Sequence, residues 1–181
     1  MRFARATLGL LALSFLPFSS LQPQAQAHGP TRQKVTQEIT ISAPPAEVWK
    51  LVGNFDGWSA WHPAIEKSTA TDGNNVGSVR TLSLKGGGTL IEEVEAYDDG
   101  AMTLKYRAKD GGALPVTNYS SMIKVTPADG GGSTVLWRGA FYRGFPNNDP
   151  PPELNDDAAI AAVTGVYTTG LANLKAVLEK K

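Results

Sequence analysis

The chain has 181 residues, 17 basic and 17 acidic, and no cysteine. That length suits one domain with a single core. Balanced charge gives no electrostatic case for nucleic acid or an anionic membrane. Without cysteine there are no disulfides, so the fold rests on apolar burial.

In chain order, residues 1–27 read as an export signal. Arg2 and Arg5 precede the apolar run "ATLGLLALSFLPF", and a polar stretch closes on Ala25-Gln26-Ala27, a small-x-small cleavage pattern. The run is shorter than the ~20 apolar residues of a spanning helix. Cleavage after Ala27 predicts a periplasmic chain starting at His28, free of the membrane, with 15 basic against 17 acidic groups. Residues 28–34 read as a flexible arm, and one domain is expected over 35–181.

"VTQEITISA" alternates Val35, Gln37, Ile39 and Ile41 against Thr36, Glu38 and Thr40, which predicts a strand. "APPAEVWKLVGNF" predicts a short helix, with prolines at its start and Val48, Leu51 and Val52 as its apolar stripe. A second helical turn over Asp56 to Trp61 ends at Pro63. From Ile65 to Arg143 the turns "TDGNNVG", "KGGG", "YDDG", "KDGGALP" and "PADGGGS" imply five or six antiparallel strands. The rigid connection "GFPNNDPPPELND" then leads into one long helix from about Glu153 to Glu179. Val163, Tyr167, Gly170, Leu171, Leu174 and Leu178 share one face of it. The fold class is α+β: a curved antiparallel sheet wrapped around the C-terminal helix, with two short helices closing one end. Gly165, Gly170 and several alanines make that helix slim, which predicts a cavity beneath it.

Strand phase nominates the inner face. Leu90, Glu92, Val94 and Ala96 share the more apolar side of their strand, with Ile91, Glu93, Glu95 and Tyr97 opposite. Arg80 shares the phase of Leu82 and Leu84 on the neighbouring strand, so the "KGGG" hairpin places Arg80 beside or diagonal to Glu92. A carboxylate facing a core needs such a partner. The pair reads either as a polar anchor in a pocket or as a structural ion pair. Met102, Leu104, Tyr106, Tyr119, Ser121, Ile123, Val135, Trp137, Gly139 and Phe141 also point inward. Aromatic rings mixed with hydroxyls suit a small-molecule pocket and equally an ordinary core.

Trp49 packs the first helix on the sheet in this reading, while Trp58, Trp61 and His62 form a pocket lip. His62 is a candidate acid or base, with Asp56 as a partner, or else caps the short helical segment. Two histidines and no cysteine give no metal site. The glycine runs lack the lysine ending of a phosphate cradle, so neither metal nor cofactor is expected.

Three segments carry a resemblance: "ISAPPAEVWKLVGNFDGWSAWHP", "TLIEEVEAYDD" and "LPVTNYSSMIKV". They resemble the cyclase-like branch of the polyketide cyclase/START-like (SRPBCC) superfamily, which implies the helix-grip fold of the birch-pollen-allergen proteins. "VGSVRTLSLKGGGT" with "GAFYRGFPNNDPPPELNDDAAIAAVTGVYTTGLANLK" is similar to MxaD-like proteins, periplasmic components associated with bacterial methanol oxidation. That resemblance implies a non-enzymatic accessory of methanol dehydrogenase and its cytochrome c acceptor, with the cavity open to a small apolar ligand. Two alternatives stay open: a cyclase- or hydrolase-like enzyme using His62 and Glu92 in the cavity, or a carrier of hydrophobic molecules. Candidate pocket residues are Trp58, Trp61, His62, Arg80, Glu92, Tyr106, Tyr119, Trp137 and Tyr167. Phe145, with Asn147, Asn148 and Asp149 around it, forms a candidate interaction loop, an apolar anchor in a hydrogen-bonding rim.

Overall fold

A computed structural model describes residues 29–109 and 112–180. The export signal, its cleavage site and the middle of the "KDGGALP" turn lie outside the described residues. Seven strands run β1 (Gln33–Ile41), β2 (Ile65–Ala70), β3 (Val79–Leu84), β4 (Thr89–Asp98), β5 (Thr103–Ala108), β6 (Val116–Pro127) and β7 (Ser133–Arg143). Helix α1 (Pro45–Val52) and a 3-10 turn (Trp58–Ala60) fill the β1–β2 connection, and α2 (Asp156–Glu179) ends the chain.

All pairings are antiparallel, in the order β1-β7-β6-β5-β4-β3-β2. Five hairpins connect β2 through β7 in sequence, so these contacts are local. The exception is β1, which crosses to pair with β7 along its whole length, from Gln33 opposite Phe141 to Ile41 opposite Ser133. Helix α2 covers that side of the sheet. At its C-terminal end Lys175 Nζ donates to the Thr40 carbonyl (2.8 Å), and the Glu179 carboxylate accepts from Ser42 N–H (2.7 Å).

The core follows the predicted phases. Val35 and Ile41 of β1 are buried, as are Val48, Trp49 and Val52 of α1, and Ala159, Val163, Tyr167, Gly170, Leu171 and Leu174 of α2. Trp49 stacks on Tyr97 (centroids 5.5 Å apart) and donates from Nε1 to Asp99 (2.7 Å), fixing α1 to the sheet.

Four expectations need correction. The arm ends early, because Gln33 and Lys34 already pair with β7. Helix α2 starts at Asp156 and not at Glu153: Pro152–Leu154 make a separate 3-10 turn, and Asn155 caps α2 by accepting from Ala158 N–H (2.8 Å). A bulge between Val94 and Ala96 reverses the phase of β4. Tyr97 is therefore opposite buried Leu104 on the inner side, and Ala96 takes the outer one. Met102 lies in the turn before β5 with positive φ, outside the strand.

Candidate functional site

Arg80 and Glu92 occupy directly opposed positions on β3 and β4. Arg80 is fully buried and Glu92 is 3% exposed. Arg80 Nε donates to Glu92 Oε2 (2.8 Å), while Nη2 lies 2.6 Å from the same oxygen without hydrogen-bond alignment. Nη1 donates to the Phe55 carbonyl (3.0 Å). The guanidinium also lies 3.8 Å from the Trp58 ring centroid and 4.1 Å from that of Phe55. These faces replace part of the hydration that a buried cation loses. Because Arg80 uses only Oε2, the other carboxylate oxygen, Oε1, receives no hydrogen bond from the described residues.

Beside this pair a cavity of about 60 Å³ opens. Trp58, His62, Glu92, Tyr106, Tyr119 and Trp137 form its inner wall; Ile65, Leu82, Leu84, Leu90, Leu114, Ala64 and Val166 form the rest. Ala64, Leu84, Leu114 and Val166 are the partly or fully exposed members, so the mouth is there. Trp58 and Trp61 are not a lip: they are 2% and 0% exposed, packed 4.9 Å apart between centroids in the core. A cavity does lie beneath the helix, but the glycines expected to open it do not line it. Gly165 faces open space, and a Cβ on Gly170 would sit 2.6 Å from the His62 ring. Histidine and tryptophan fill the groove that the glycine leaves, so the cavity stays small.

His62 is a strut in this arrangement. Ala64 N–H donates to Nδ1 (3.3 Å), which assigns the proton to Nε2, and Nε2 donates to the Val166 carbonyl (3.1 Å). Burial holds its pKa below the ordinary value; the Val166 carbonyl opposes that shift, and nearby Arg80 adds to it. Neutral, with both nitrogens engaged, it has no free atom for a substrate proton. Asp56 is not its partner. It is exposed, and its carboxylate accepts from Ala70 N–H (2.7 Å).

Behind the wall a chain of hydroxyls joins β6, β7 and α2. Tyr119 and Tyr167 hydroxyls are 2.8 Å apart, and Tyr167 reaches Ser121 Oγ at 2.8 Å. Trp137 Nε1 donates to both Ser121 Oγ and Tyr106 Oη at 3.0 Å. Tyr167 stacks on Trp137 with centroids 4.3 Å apart, an approach allowed by Gly139, where any Cβ would strike the Tyr167 hydroxyl. Burial raises the pKa of Tyr106, Tyr119 and Tyr167, so all three stay protonated. The Tyr106 hydroxyl joins this network: it accepts from Trp137 and lies within hydrogen-bonding reach of the Ser121 and Tyr119 hydroxyls. The cavity thus offers one free acceptor, Glu92 Oε1, at the inner end of an aliphatic mouth.

Of the predicted pocket residues, Trp58, His62, Glu92, Tyr106, Tyr119 and Trp137 line the space, while Trp61, Arg80 and Tyr167 stand behind it. Leu82, Leu84 and Leu90, which strand phase put on the inner face, line it as well. Leu114, in a turn, and Val166, on the flank of α2, had no periodic signal. The predicted loop is separate from the cavity and is built on Arg143, which the sequence did not nominate. Arg143, 7% exposed, donates to the Phe145 carbonyl (2.9 Å), the Asn147 carbonyl (2.9 Å) and Asp156 (3.1 Å). Phe145 is half-buried, and Asn147, Asn148 and Asp149 are exposed.

A sheet gripping one long helix, with a small cavity between them, defines a helix-grip domain. The chain belongs to the family described as polyketide cyclase / dehydrase and lipid transport, matched over residues 32–179. It is similar to the protein XoxI from Bacillus cereus: 32% identity, 80% of this chain and 94% of that one covered, TM-score 0.69. It is 33% identical over 101 residues to the abscisic acid receptor PYL7 of Arabidopsis thaliana, 53% of this chain and 47% of the receptor. The matched region thus spans about half of the receptor's length. The Zhui aromatase/cyclase from Streptomyces shares the fold at 19% identity, with 82% of this chain and 94% of that chain covered and a TM-score of 0.68.

Proposed function

We propose that this domain binds, without transforming it, a small amphiphile whose hydrogen-bond donor is received by Glu92 Oε1. The observation that carries the reading is that free carboxylate oxygen in a largely apolar cavity. The family is one of ligand-binding START-like domains, which supports the reading. Size limits the ligand: 60 Å³ is less than half of the ~150 Å³ cavity that accepts benzene. A short alcohol or amine fits this chemistry, and a carboxylate of equal length is repelled by Glu92.

The test is an amide-resolved NMR titration with 1-butanol, butylamine and butyrate. The alcohol and amine should shift Leu84, Leu90, Leu114 and Val166, and butyrate should not. Glu92→Gln should weaken binding of the amine by at least tenfold, the scale of a hydrogen bond to a charged group of about 1.5–3 kcal/mol. Equal shifts from all three compounds, or none from any, would sink the proposal.

A second reading follows from the MxaD-like resemblance: a periplasmic accessory role beside methanol dehydrogenase and its cytochrome c. What supports it is the Arg143-organised loop, which holds an apolar side chain in a polar rim at low ordering cost. In a reconstituted dehydrogenase–cytochrome assay, Phe145→Ala with Asn148→Ala should remove the stimulation and Tyr106→Phe should leave it. The reverse pattern would transfer the function to the cavity.

A further inference from the structure

The outer face of the sheet, opposite α2, carries a recess of about 500 Å³, unrelated to the cavity within. Lys34 and Thr36 of β1, Arg138 and Ala140 of β7, Ser120 and Met122 of β6, and Lys105 of β5 surround it, with Glu95 at one side. The register orders them. Thr36, Arg138, Met122 and Lys105 lie in one row across four strands, and Lys34, Ala140 and Ser120 in the next. Bulges in β4 after Val94 and in β6 between Thr117 and Ser120 flank these rows and dent the surface.

Charge on this face is unevenly spent. Arg107 pairs with Glu95 and Lys109 with Glu93, each at 2.6 Å. Lys34, Lys105 and Arg138 form no salt bridge among the described residues. Three uncompensated cations therefore ring a small, partly apolar floor in a chain whose total charge is zero. Arg138 and Lys105 are two strands apart, about 10 Å at the backbone. Lys34 lies in the next row, so the three separate cations are matched best by a partner that carries several acidic groups.

We propose that this recess docks an acidic extended segment of a partner protein, with carboxylates on Arg138, Lys105 and Lys34 and small side chains over Met122 and Ala140. The recess is too open to enclose a small molecule. It has no aromatic ring on which a nucleobase would stack. A membrane surface would want a large apolar side chain to insert, and Val76, the large hydrophobic side chain exposed among the described residues, lies in the β2–β3 loop instead.

The test is an NMR titration of the whole domain with a hexaglutamate peptide, with inorganic phosphate in parallel. Saturable shifts should concentrate at the amides of Thr36, Ser120, Met122 and Ala140, and affinity should fall several-fold as salt rises. Lys34→Glu, Lys105→Glu and Arg138→Glu together should abolish them. Lys50→Glu, Lys67→Glu and Lys85→Glu, equal in charge but elsewhere, should reduce affinity far less. If the reversal variant does not fold, glutamine at the same three positions should cost at least tenfold in affinity. Equal losses from both triple variants, shifts scattered over the surface, or phosphate binding as tightly as the peptide would each overturn the proposal.

Discussion

Two arginines are buried among the described residues, and they do different work. Arg80 lies in the core between aromatic faces, balanced by one carboxylate oxygen and one carbonyl. Arg143 lies under the loop that follows β7, balanced by two carbonyls and Asp156. At Arg143 the acceptors are mainly backbone, so the arginine shapes the chain around itself. At Arg80 the acceptor is a side chain that keeps an oxygen free, so the pair shapes a site. A buried cation satisfied by backbone builds architecture; one satisfied by half a carboxylate leaves chemistry over.

Replacing Glu92 by Ala is the largest way to break this comparison. It strands a fully buried guanidinium, and losing one partner of such a pair costs about 3–5 kcal/mol. The double variant Arg80→Met, Glu92→Leu should recover most of that loss in urea unfolding, since apolar replacements of buried pairs are often neutral or better. Equal losses in single and double variants would show that the ion pair is not the source.

Arg143→Ala should cost less, about 1.5–3 kcal/mol, the scale of hydrogen bonds to a charged group. Its signature is local: amide exchange should rise between Gly144 and Asn155 while β3 and β4 stay protected. Uniform loss of protection would mean that Arg143 supports the core as Arg80 does.

The smallest effect is a pH dependence. His62 has its folded pKa held below the unfolded 6.5, so below that pH the unfolded chain binds a proton that the native ring refuses. Its contribution is present above pH 6.5 and is lost as pH falls from there through the folded pKa. His62→Gln should flatten the decline in melting temperature over that window. An unchanged slope would assign the decline to carboxylates.

Much of the fold was legible because apolar period and turn residues agree over β2 to β7. The Arg80–Glu92 contact was legible too, since a short hairpin fixes register. Tyr97 was misread because one extra residue at the bulge inverts every later side chain, and no composition marks it. The pocket lip was misread for a different reason. Crowded tryptophans signal burial or a binding rim equally well, and the deciding fact is that His62 fills the groove of Gly170, a contact across 108 residues of sequence. The far side of the cavity mouth had no signal, because Leu114 and Val166 come from a turn and a helix flank that meet only in space.

The pairing of β1 with β7 has a consequence in time. Every other strand finds its first partner within one hairpin, but β1 must wait for a strand on the order of 100 residues later, and for α2 to clamp it through Thr40 and Ser42. Such non-local closure is slow relative to hairpin formation. A nascent chain therefore holds its first strand unpaired until β7 has been made. The seam between the first strand and the last is then the final step of folding, and the natural place for unfolding to begin.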